Sequence, residues 1–167
     1  MIIDSSRKEI IQAFMDEAKR KHDIRSGFKS VYTEAIGLFE VCVAFEAFIN
    51  ELLYNPSIRR KRINFSSHYK NKLIEHLDAL KKWIIPLKDE LEGNPLIDMT
   101  PNSRNPPLDI DLLENLERII EVVYRVRCNL VHGSKSLESS RNKLLISNSF
   151  HFLYVFMDIL LKEEKIL

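Results

Sequence analysis

The sequence predicts an all-α protein, a compact bundle of about five helices in one domain. Three observations carry that reading. Apolar residues recur at helical spacing through several long segments. Glycine and proline are scarce, 4 and 6 among 167 residues, which disfavours turn-dense all-β chains. Runs with strand character are too few to build a sheet. A length of 167 residues suits a single domain over 1–167. With 45% hydrophobic and 29% charged residues, the composition is that of a folded globule.

The elements follow in order. Ser6 with Glu9 three residues later forms a capping box and predicts the start of the first helix. Ile10, Ile11, Phe14 and Ala18 then recur at helical spacing, and the pattern fades at Asp23 to Gly27. A longer second helix is expected from about Ser30 to Tyr54, stopped by Asn55-Pro56. It is apolar on nearly every side (Ile36, Leu38, Phe39, Val41, Val43, Phe45, Phe48, Ile49, Leu52), as a helix packed all round must be. A third helix covers roughly His68 to Glu92, with Pro86 kinking or splitting it. Residues 93–109 hold four prolines and read as an extended loop. The fourth helix starts near Asp109 or Asp111 and ends at Gly133, a residue suited to the C′ position. Beyond the polar stretch Ser134 to Arg141, a fifth helix carries Leu144, Leu145, Phe150, Phe152, Leu153, Val155, Phe156, Ile159 and Leu160.

Charge and targeting narrow the function classes. With 25 basic and 24 acidic residues the net charge is +1, so nucleic-acid contact would have to come from a local patch. The N-terminus lacks a basic region followed by an apolar run, so no signal peptide is expected. No window reaches the ~18 uninterrupted apolar residues of a membrane span. The densest apolar stretch, Ile36 to Leu53, is broken by Glu40, Glu46, Asn50 and Glu51. Cys42 and Cys128 are too few for a disulfide framework and read as small hydrophobes. A reducing cytoplasm is the expected location.

The informative segment is Tyr124-Arg-Val-Arg-Cys-Asn-Leu-Val-His132-Gly. On a helical projection Leu112, Leu116, Ile119, Val123, Val126 and Leu130 fall within about 40° of Leu112, one apolar stripe. Arg127 falls at about 60°, inside the stripe. A charge there is costly unless paired or placed at an interface. Arg125 points about 220° away, among Glu114, Arg118 and Glu121, where surface ion pairing accounts for it. Cys128, at about 160°, reads as packing. His132 ends the helix, where the plain reading is a histidine on the helix dipole. The helix end also lets its ring swing toward Arg127 or Asn129. Together the three supply a cation, a hydrogen-bonding amide and a titratable base, a set suited to phosphodiester cleavage without metal.

Arg127-Cys-Asn-Leu-Val-His132, at the end of a helix in a short all-α chain, resembles the R-x4-6-H signature of HEPN domains. Val126 before it and Gly133-Ser-Lys after it resemble HEPN members of prokaryotic defence and toxin–antitoxin systems. Arg125 also meets the looser spacing; the stripe favours Arg127. The resemblance implies a helical homodimer, RNA as substrate, a nucleotidyltransferase-type antitoxin as partner, and no cofactor. It implies Arg127 and His132 as catalytic residues, with Asn129 orienting the histidine or the phosphate. The RNA 2′-hydroxyl would be the nucleophile, at a composite site across a dimer cleft. The rival from another class is a non-catalytic helical dimer or adaptor that binds RNA or a partner protein.

Other candidates are weaker. Glu40 and Glu46 lie in the apolar second helix, so either one is buried against Arg127 or both line an exposed strip. The run Arg59-Arg60-Lys61-Arg62, followed by Phe65, His68, Tyr69, Lys70 and Lys72, is the one concentrated basic patch. A solvated loop and a phosphate contact beside stacking aromatics both fit it. His22, His68, His76 and His151 lack cysteine or carboxylate partners at ligand spacing, so no metal site is expected.

Overall fold

The computed structural model describes residues 5–22, 31–53, 74–99, 104–105, 107–108, 116–132 and 139–163. Among the described residues five helices follow in order: α1 (Ser5–His22), α2 (Val31–Leu53), α3 (Leu77–Leu91), α4 (Leu116–His132) and α5 (Ser140–Glu163). The all-α bundle expected from periodicity is present. The two most apolar helices, α2 and α5, pack together at its centre; α1 lies on α2, α3 lies on α5, and α4 touches both.

Each helix buries the face its sequence dictates. On α1, Ile11, Met15 and Ala18 are buried at i, i+4 and i+7, while Ile10 is left exposed. The helix begins at Ser5, so Ser6 falls in its first turn rather than before it. On α2 the buried set is Ala35, Leu38, Val41, Cys42, Ala44, Phe45 and Phe48. Gly37 has a packing reason: a Cβ there would lie 3.2 Å from the Ala18 carbonyl oxygen and 3.4 Å from the Phe150 ring. The missing side chain lets α1 and α5 close on α2.

Pro86 lies inside α3 without splitting it, and Leu80, Ile84, Leu87 and Leu91 face the core. The helix ends at Glu92, whose N–H donates to the Lys88 carbonyl, and Gly93 follows with φ +69°. That left-handed turn suits glycine. Arg141, at the start of α5, pairs with Glu90 at 3.1 Å and donates to the Asn94 carbonyl. Ser139 caps α5, its Oγ accepting from the Asn142 N–H at 3.1 Å.

Among the described residues of the proline-rich loop, an antiparallel bridge joins Leu96 and Leu108 with bonds of 3.1 and 3.0 Å. The expected starts of the third and fourth helices lie outside the described residues. By length and composition the Ser140–Lys162 stretch of α5 is apolar enough to cross a membrane. A count of uninterrupted apolar residues passes over it, because Asn148, Ser149 and His151 break the run. More than half of that window is buried inside the bundle, as a core helix requires.

Candidate phosphate-binding site on α4

The site is built where α2 and α4 meet. Tyr124 lies level with Phe45 (ring centroids 6.3 Å apart), and Arg127, nearly one turn on, lies over Phe39. Ile119, Ile120, Val122, Val123 and Val126 anchor α4 in the core. Arg127 comes at the edge of that buried arc, as its helical angle requires. Its stem is held against the bundle and its head reaches partial solvent.

Glu46 is the partner of Arg127. Nη1 stands 3.5 Å from Glu46 Oε1, with the two side chains 27% and 41% exposed. The guanidinium carbon lies 5.7 Å from the Phe39 ring centroid, within cation–π range. The buried Nε has no hydrogen-bond partner. Of the two glutamates singled out on α2, Glu46 therefore meets the arginine. At 3.5 Å the contact is an electrostatic pairing, longer than a charge-assisted hydrogen bond. A guanidinium with five donors is left under-used.

Around the pair the surface is apolar and protonated. Burial, and then the neighbouring Glu46 carboxylate, hold the Tyr124 phenol well above the usual tyrosine range. Burial pushes the Cys42 thiol strongly up, and burial also raises Cys128, with Arg127 opposing both shifts. Neither cysteine is poised as a nucleophile. Both pack beside the ion pair, as expected for small hydrophobes.

Asn129 requires a correction. It does not sit with Arg127: the register puts the two about 160° apart on α4. Its amide is spent on the loop, Oδ1 accepting from the Met99 N–H at 2.9 Å and Nδ2 donating to the Ile97 carbonyl at 2.8 Å. Arg125 differs as well. It is half-buried and donates to the Leu96 carbonyl at 3.4 Å, and burial lowers its guanidinium below the usual arginine range against the pull of Asp98 and Glu121. Asn129 and Arg125 together tie residues 96–99 to α4 as a strap. A polar amide and a cation at i and i+4, with a proline-rich loop nearby in sequence, were the available signal for it.

His132 closes α4, so the motif Arg127 to His132 forms the end of that helix. The helical register sets position 132 about 140° from Arg127 and about 20° from Arg125. The His132 side chain, like Arg59, Arg60, Lys61 and Arg62, lies outside the described residues. Among the described residues no three His, Cys, Asp or Glu side chains gather where they would hold a metal ion. No protein-family model, no curated protein and no solved structure matches this chain.

Proposed function

We propose that this chain is a HEPN-like endoribonuclease that cleaves RNA without metal, at a composite site formed by two copies. The observation that carries the reading is the state of Arg127. It is an arginine on the rim of the core, loosely paired with Glu46, carrying unused donors at the end of the helix that closes with His132. An under-used guanidinium beside an apolar wall is suited to a phosphodiester, which offers it paired oxygens.

The chemistry needs two proton-transfer groups. A base removes the proton from the RNA 2′-hydroxyl, whose oxygen attacks phosphorus, and an acid protonates the departing 5′-oxygen. His132 of one copy is the base and water supplies the proton to the 5′-oxygen, beside the Arg127 of the other copy. The angular separation of positions 127 and 132 on a single α4 argues in the same direction. Two chains about a two-fold axis bring the Arg127 of each toward the helix end of the other. Arg127 then stabilises the charge on the pentacoordinate phosphorus. The products are a 2′,3′-cyclic phosphate and a 5′-hydroxyl.

One observation favours the second reading, a non-catalytic adaptor: Arg127 already has a carboxylate partner. Cleavage of end-labelled RNA in EDTA separates the two. The ribonuclease reading expects cyclic-phosphate ends from the wild type, and their loss in both Arg127→Ala and His132→Ala with helicity retained. An inactive wild type across a varied RNA pool favours the adaptor.

A further inference from the structure

We infer that Glu46 is the resting occupant of a phosphate seat at Arg127, a positioning residue that sets how tightly the seat takes an anion. The inference rests on the reading of Arg127 as the phosphate-binding group. It names a residue that the motif does not contain.

The geometry points to a placeholder rather than a structural clamp. The Glu46 carboxylate comes no closer to Arg127 than 3.5 Å, Oε1 to Nη1, and both side chains keep contact with solvent. Exposed pairs of this kind hold weakly. The same carboxylate lies beside the Tyr124 hydroxyl, which raises the phenol's affinity for its proton. Glu46 therefore has a second neighbour to turn to when it leaves the guanidinium. Arg127 stays where it is, because Phe39 lies beneath its guanidinium and its Nε is buried. A phosphodiester arriving from solvent replaces one long contact with two shorter, charge-assisted hydrogen bonds. The released carboxylate keeps the hydroxyl.

This arrangement predicts opposite effects from two conservative changes, which a packing role does not. Glu46→Gln removes the competing charge and tightens phosphate binding, roughly two- to fivefold, the worth of a partly exposed ion pair. Tyr124→Phe deprives the carboxylate of its alternative partner and weakens binding. Both retain side-chain volume, and thermal melts confirm folding before either is used.

The test is a titration of the intact protein with inorganic phosphate, following the arginine Nε–H resonances by NMR. The expected result is a saturable shift of the Arg127 signal, with a lower Kd in Glu46→Gln, a higher Kd in Tyr124→Phe, and no such signal in Arg127→Lys. An Arg127 resonance that phosphate leaves unmoved overturns the inference. So does a Glu46→Gln Kd equal to or weaker than wild type, and so does a shift of both variants in the same direction. If Glu46→Gln does not fold, Glu46→Asp, with its carboxylate drawn back by one methylene, must tighten binding as well. A phosphate seat that behaves as described in a chain that cleaves no RNA removes the ribonuclease reading and leaves the seat standing.

Discussion

At the residue scale the consequential facts are where polar groups are spent. Tyr124 keeps its proton in the folded state above the point, about pH 10, at which an unfolded tyrosine loses it. The native chain thus binds more protons than the unfolded chain once the pH exceeds that value, and stability falls as pH rises further. The contribution is fully present below pH ~10. Urea unfolding between pH 8 and 11 checks this: the alkaline loss is shallower in Tyr124→Phe than in wild type. Asn129 makes a separate prediction. Asn129→Ala strips two hydrogen bonds from the strap and lowers stability by about 1–3 kcal/mol, with faster amide exchange at Met99. A variant as stable as wild type, with unchanged exchange at Met99, contradicts the strap assignment. Arg127 was legible in the sequence because a cation in an apolar stripe demands a partner. Asn129 was misplaced because nearness along the chain is not nearness around a helix; two positions apart on α4 is close to opposite faces.

At the scale of elements, periodicity identified the helices, and packing decided the rest. The apolar run accounts for α2, whose Val31–Leu53 lies inside the span expected from about Ser30 to Tyr54, while the Asn55-Pro56 stop lies outside the described residues. The choice of Met15 over Ile10 as a core residue on α1 was not legible, since both fit an apolar face until neighbouring helices select one. Gly37 reads as an ordinary helix weakness until α1 is seen against it. Gly37→Leu forces the Ala18 carbonyl and the Phe150 ring apart, at a cost of about 1–3 kcal/mol, read as a fall in Tm. Pro86 predicts the reverse. It occupies the interior of α3, where proline removes a hydrogen bond and crowds the Lys82 carbonyl. Pro86→Ala restores that bond and raises stability by about 1–3 kcal/mol, visible as a higher melting temperature with unchanged helix packing. A lower Tm in that variant means that α3 depends on the bend.

At the scale of the whole molecule, the bundle places one face of α4 in the core and leaves Arg127 partly exposed at the edge of that face. The two central helices, α2 and α5, fix α4 from behind, and α2 lends Glu46 and Phe39 to the arginine. The carboxylate partner was half-legible: a glutamate in an apolar helix invites a cation, but the sequence did not separate Glu40 from Glu46. Only the observed ion pair between Arg127 and Glu46 does so. A site that needs Arg127 from one copy and His132 from another has a direct test in mixing. Arg127→Ala and His132→Ala, each inactive alone, are unfolded together, refolded at equal ratio and assayed for cyclic-phosphate products in EDTA. Random pairing makes half the dimers mixed, each with one intact composite site, so recovery of about a quarter of wild-type activity is expected. A mixture as inactive as its parents, in dimers shown to have exchanged chains, contradicts the shared site.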